Sequence, residues 1–257
     1  MIKKLSLLIF VLVLAGCVST PPIPEFNLQK NARIGVMIDL DETIGHQHYA
    51  GLRFNNFSKV TKLNWNLNSF AKEEAKKLLQ EKGYEYVELS SSEMALYKYR
   101  VFSLANVKDE KWVIAEGAET LYQNLKNDKK LDAIVAYKSS PNIVSVECSN
   151  LGCAEFSAAH SGLYSRGIPL LKKTYLSTVL PSTKMVTLLN PVADLGNYNN
   201  VYSSNHQLGV ISGFSPNNIK RLSESEWKEV EEYLKEHISN LLKEDITKLS
   251  QGSKGNK

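Results

Sequence analysis

Ala32–Leu40 is a near-continuous apolar run with β-branched residues, which reads as a buried strand. Tyr84–Leu89 and Asp132–Lys138 read as a second and a third strand, and stretches of helical periodicity separate the three. Between the first two, Ala71, Ala75, Leu78 and Leu79 share one helical face, with Asn68 or Ser69 as cap and Gly83 as stop. Between the second and third, Ala118, Leu121, Tyr122 and Leu125 stand at i, i+3, i+4 and i+7. Alternation of strand and helix implies right-handed crossovers and a largely parallel sheet.

After Pro141 the pattern changes. Short runs follow without helices between them: Asn142–Glu147, Ala154–Ala159, Gly162–Arg166, Thr174–Val179 and Met185–Leu195. They predict an antiparallel meander continuing the sheet, and Asn197–Asn205 an Asn-rich loop after it. Ser223 with Glu226 forms a capping box. It opens a long C-terminal helix with Trp227, Val230, Leu234, Ile238, Leu241, Leu242 and Leu249 on one stripe. Acidic residues, Asp245 among them, outnumber lysines on the rest of that helix, so anionic lipid would repel it. The stripe is expected to cover the sheet. The fold class predicted is α/β: a single domain and a mixed sheet, with a parallel βαβ N-terminal half, an antiparallel meander and a long C-terminal helix.

The 31 basic and 27 acidic residues are too balanced to imply a nucleic-acid partner. The N-terminus is more specific. Lys3 and Lys4 precede the apolar run Leu5–Leu14, which is too short to span a bilayer and reads as an export signal. Leu14-Ala15-Gly16-Cys17 resembles the lipobox of bacterial lipoproteins. That resemblance implies cleavage after residue 16, acyl chains on Cys17 and a membrane as the first partner. Val18 stands where an Asp would favour the inner membrane, which points to the outer membrane. Residues 17–31, with three prolines, are read as a lipidated tether, 32–249 as the globular domain and 250–257 as a polar tail.

Cys148 and Cys153 are the remaining cysteines. In an oxidising compartment they are expected to staple a turn as a disulfide. A metal there would need His160 and a further ligand.

Asp39-Leu40-Asp41-Glu42-Thr43, directly after an apolar strand, resembles motif I of the haloacid-dehalogenase phosphatases, whose class C acid phosphatases include bacterial lipoproteins. The resemblance implies Asp39 as nucleophile, Asp41 as general acid, Ser90 as the second motif's hydroxyl, a lysine (Lys138, Lys172 or Lys173) and magnesium as cofactor. The last motif wants an acidic pair, and its best site, Leu188–Asp194, carries Asn190 and Pro191 instead. A second resemblance covers His48–Phe57, Trp65 and Ser161–Arg166. It is to a family of bacterial exported proteins to which no activity is assigned, and it implies a fold and a compartment only. His46 and His48 share a face if on a strand, and with Asp41 or Glu42 would hold a metal; in a polar loop they are merely solvated. The leading expectation is a non-catalytic envelope lipoprotein that binds a partner protein or polymer. The alternative is the magnesium-dependent phosphatase.

Overall fold

The computed structural model describes residues 20–50, 55–94, 103–149, 152–168, 173–203 and 218–252. The strands are β1 (Arg33–Asp39), β2 (Thr43–Tyr49), β3 (Phe57–Lys62), β4 (Glu85–Glu88), β5 (Ala105–Lys108), β6 (Lys111–Ile114), β7 (Ala133–Ser139), β8 (Asn142–Ser149), β9 (Gly152–Ala158), β10 (Ser161–Ile168), β11 (Lys173–Leu189) and β12 (Val192–Ser203). The helices are α1 (Leu67–Glu81), α2 (Glu119–Gln123), which runs into a π-helical turn Asn124–Asp128, and α3 (Glu224–Gln251).

Eight strands form one mixed sheet, and its frame is the 17-residue strand β11. β7 pairs with the C-terminal half of β11 (Ser182↔Ser139) and β10 with its N-terminal half (Gly162↔Val179), both antiparallel. β7 and β10 therefore lie end to end along one edge of β11. Their outer neighbours do the same, since β1 pairs parallel with β7 and β2 parallel with β10. The sheet is two half-sheets joined at a seam, and the chain crosses that seam at residues 40–42. β4 closes one half and β3 the other. β12 pairs along β11.

α1 and α3 cover one face. Ile34, Val36, Tyr137, Leu176 and Leu188 pack there against Ala71, Leu79, Val230, Leu234, Ile238 and Leu242. On the other face, Tyr122 and Leu125 pack against Met37, Ile134 and Met185. The β8–β9 hairpin is not part of the main sheet, and Phe156 and Ala158 seal Tyr164 and Val179 beneath it. The predicted α/β domain, mixed sheet and long C-terminal helix are present.

Several local expectations are corrected. Asn142–Glu147 and Ala154–Ala159 form this separate hairpin rather than continuing the sheet. Met185–Leu195 is not one strand, because the chain turns at Asn190–Pro191. The stretch from Asn197 continues β12 to Ser203, since its backbone pairs with β11 whatever its side chains. Asn68 does not cap α1: the helix begins at Leu67, behind Asn66 in the left-handed region at φ 50°. Asn68 instead clamps Leu40, accepting its N–H at 2.8 Å and donating to its carbonyl at 2.8 Å. Leu40 sits at the seam, outside both strands, so a side chain satisfies its backbone.

On α3 the capping box forms as expected. Trp227 is half-buried rather than buried. Asp245, counted with the solvent-facing acids, is only 2% exposed. It accepts from the Tyr137 hydroxyl and pairs with Lys184 Nζ at 3.1 Å. Helix continues through Gln251, so the polar tail begins later than residue 250.

The described part of the tether lies on the domain. Ile23, Phe26 and Leu28 pack on the main core, Trp112 Nε1 donates to the Pro22 carbonyl at 3.2 Å, and Asn31 N–H bonds Gly83 O at 2.8 Å. Gly252, just past α3, sits so close to Phe26 that an added Cβ would lie 2.6 Å from the Phe26 carbonyl.

Candidate functional site

In a sheet of this kind, ligands bind beyond the carboxyl ends of the parallel strands, where the strand order reverses. Here β1 is flanked by β4 and β7, so the reversal falls between β1 and β7. The Asp39–Thr43 segment leaves the sheet at this point.

Asp39 ends β1 and is the register partner of Lys138 on β7. Burial pushes the Lys138 ammonium below its ordinary pKa, against the opposing pull of the Asp39 carboxylate. Asp41 stands on the seam itself, where four strand ends meet. Its own N–H donates to Ser139 Oγ, its Oδ1 accepts the Thr43 N–H at 2.9 Å, and its Oδ2 lies 2.5 Å from His160 Nδ1. His160 comes from the turn before β10, and Tyr164 holds it by donating its hydroxyl to the His160 carbonyl at 2.8 Å. Burial raises the Asp41 carboxyl, but the bonds from His160 and Thr43 outweigh it and hold the pKa below 3.8.

Ser90 reaches the same edge, two residues past β4. Its hydroxyl caps the following turn, donating to Glu93 Oε2 at 2.8 Å and accepting the Glu93 N–H at 3.2 Å. Glu93 is pinned in turn by Lys129 at 2.6 Å; that bond and those from Ser90 bring its pKa to about 2.

The last motif does not join them. Thr183 faces Lys138 across β7 and β11, whereas Asp194 pairs with Thr187. Asp194 is therefore four residues farther along and three strands across from Asp39, roughly 13 Å and 14 Å respectively. Its carboxylate accepts from the Gly196 N–H and the Ser103 hydroxyl. Asn190, beyond the end of β11, is more distant still along the strand. The residues that the resemblance would give to magnesium are divided between opposite edges of the sheet and do not fit the ion. Among the described residues no group of three or more His, Cys, Asp or Glu side chains could hold a metal.

His46 and His48 do share a face of β2, as the i, i+2 spacing requires, but that face is buried. Both rings pack on Phe57, at 4.8 Å edge-on for His46 and 5.6 Å stacked for His48. His46 also meets Trp227 edge-on at 5.2 Å, and His48 Nδ1 pairs with Ser165 Oγ at 2.8 Å. Burial, then Lys59 and His48, bring His46 to about 4; burial and Lys220 lower His48 as well. Both act as neutral aromatic packing at neutral pH. The proposed third ligands are engaged elsewhere, Asp41 with His160 and Glu42 with the Asn68 N–H and side-chain amide.

Cys17, Lys172 and the Asn205 end of the Asn-rich stretch lie outside the described residues. Cys148 and Cys153 are direct register partners across β8–β9. No helix among the described residues is long and apolar enough to cross a membrane.

Sequence reasoning missed His160 as the partner of Asp41, Asn68 as the clamp on Leu40, and the aromatic cluster of Trp65 and Trp227 beside His46. No local signal pairs Asp41 with a residue 119 positions away. Compared with known proteins, the chain matches no family model and no curated sequence.

Proposed function

We propose that this chain is a lipid-anchored cell-envelope protein, held in the outer membrane by acyl chains on Cys17, whose α/β domain is a non-catalytic binding or assembly module. The observation that carries this reading is the use made of the Asp-x-Asp segment. Both carboxylate oxygens of Asp41 are taken, by Thr43 and His160, and its N–H by Ser139. A general acid must release its proton to a leaving group. Asp41 is instead a depressed-pKa carboxylate stitching two half-sheets together.

The anchor and the docked N-terminal segment fit one geometry. With Pro22 already on the domain, four residues separate Cys17 from it, and the span is at most about 18 Å of chain. The domain would sit close to the bilayer in a restricted orientation, with Trp112 of β6 at the point where the chain leaves toward the anchor.

Two measurements test the reading. Cys17→Ser should abolish acylation, seen by mass spectrometry of the mature N-terminus, and move the protein out of the detergent phase. Unchanged partitioning would sink the anchor. Purified protein with magnesium should not hydrolyse phosphomonoesters; turnover abolished by Asp39→Asn would restore the phosphatase.

A further inference from the structure

Residues 20–25, Thr-Pro-Pro-Ile-Pro-Glu, run over the domain as extended chain outside any helix or strand. The sequence prepares that shape. Each proline holds its own φ at about −65° and pushes the residue before it out of the helical region, so Thr20, Pro21 and Ile23 are all biased toward polyproline II. Prolines carry no N–H, and the carbonyls of such a stretch are left for an outside donor on an aromatic wall. Trp112 of β6 supplies it, donating its Nε1–H to the Pro22 carbonyl at 3.2 Å. Pro22 itself stays exposed, while Ile23, Phe26 and Leu28 are partly buried on the main core.

At the other end of the seat Gly252, at φ 67°, comes so close that a Cβ there would stand 2.6 Å from the Phe26 carbonyl. Phe26 is the one residue of 20–29 with a sheet-type bridge. The segment is therefore held by an indole bond, a close backbone approach and spaced apolar side chains, not by a strand ladder. None of these contacts depends on the covalent link to β1. That link is a tight turn, with the Ala32 N–H on Gln29 O at 3.0 Å, and Asn31 at φ 67° bonded to Gly83 O at 2.8 Å. The turn is a pivot that stays on the domain when the residues before it leave.

We propose that the seat between Trp112 and Gly252 binds a proline-rich, extended peptide of a partner protein, and that residues 20–28 are its tethered cis occupant. The partner carries the pattern of the chain's own segment, a Pro-Pro-x-Pro stretch with apolar residues spaced as Ile23, Phe26 and Leu28 are. The covalent link gives the cis segment an effective concentration on the order of millimolar, so a partner has to compete with it. Exchange also changes the height of the domain. With Pro22 seated, Cys17 lies at most about 18 Å away; with the segment free as far as Asn31, the same anchor reaches about 50 Å. The proposal rests on the reading of the domain as a lipid-anchored binding module and names its partner class.

The probe is a fluorescein-labelled peptide with the sequence of residues 19–28, Ser-Thr-Pro-Pro-Ile-Pro-Glu-Phe-Asn-Leu, followed by anisotropy on the full lipidated protein in zwitterionic micelles. Ile23→Ser/Phe26→Ser weakens the cis segment through two partly buried side chains and leaves the seat intact. That variant should bind the peptide about tenfold more tightly than the wild type. In the same background Trp112→Phe or Gly252→Ala should weaken binding by about fivefold. In phosphatidylcholine vesicles holding a dansyl-labelled lipid, saturating peptide should lower tryptophan-to-dansyl energy transfer in the wild type. This arm needs no substitution, so it decides even where a variant misfolds. No binding to the double variant, equal affinity with and without the cis side chains, indifference to both seat substitutions, or bound peptide with unchanged energy transfer would overturn the proposal. Fractionation of Cys17→Ser separates the two readings. A variant that stays on the membrane and binds the peptide loses the anchor alone, and a released variant that ignores it loses the seat alone.

Discussion

Asp41 Oδ2 meets His160 Nδ1 at 2.5 Å, and this contact joins the break between β1 and β2 to the break between β7 and β10. Four strand ends converge there, and the Leu40 and Asp41 N–H groups in the break are met by the side chains of Asn68 and Ser139. The same carboxylate that suggests chemistry in the sequence does this joining in the fold.

Removing it should weaken the protein in a pH-dependent way. Asp41→Asn is expected to cost about 1.5–3 kcal/mol at neutral pH, the usual worth of hydrogen bonds to a charged group. Because the folded carboxyl lies below its ordinary value of 3.8, its contribution is fully present above that value and disappears as pH falls through the folded pKa. Wild-type stability from urea unfolding should therefore decline below roughly pH 4, and the Asn variant should show a shallower decline. Parallel curves for the two proteins would show that Asp41 does not supply the slope.

The Asp245–Lys184–Tyr137 group is a sharper case because it is buried. Asp245→Ala strands the Lys184 ammonium, 7% exposed, without its counter-charge and should cost about 3–5 kcal/mol. Replacing both partners, as Asp245→Leu/Lys184→Met, should recover most of that loss, because the desolvation of two charges is removed together. Chemical denaturation of the three proteins distinguishes these outcomes. A double variant no better than the single would mean the pair fixes the register of α3 on the sheet.

Leu234 lies in the centre of the α3 stripe and is fully buried against the sheet. Leu234→Ala should lower stability by about 2–5 kcal/mol, through lost transfer energy and the cavity left behind. Thermal and urea melts check this. A variant that melts like the wild type but no longer self-associates would identify the stripe as an interface between copies.

Cys148 and Cys153 face one another across an antiparallel pair, where Cα atoms stand about 4.5–5.5 Å apart. That span is within disulfide reach. Unreduced protein isolated from the envelope should yield a linked peptide containing both cysteines, and reduction should cost about 2 kcal/mol at most for so short a loop. Two free thiols in exported protein would refute the staple.

What the sequence determined by itself was whatever rests on local pattern. Continuous apolar runs marked β1 and β7, because a strand buried on both faces admits no polar alternation, whereas the edge strand β4 keeps Glu85 and Glu88 exposed. Gly83, in the left-handed region at φ 77°, ends α1, and Ser223 with Glu226 starts α3, because caps are contacts between near neighbours. The tertiary structure alone decided the seam. The halves of β11 accept different partners, so the end-to-end pairing of β7 with β10 and of β1 with β2 depends on contacts more than a hundred residues apart in places. Polar residues are where local reading failed most. In sequence Asp41 reads as a catalytic candidate, Asn68 as a helix cap and Asp245 as a solvent-facing acid, since a charge or an amide carries no periodic signal for burial. Each is held by a distant group that satisfies its hydrogen bonds, and only the folded chain brings that group within reach.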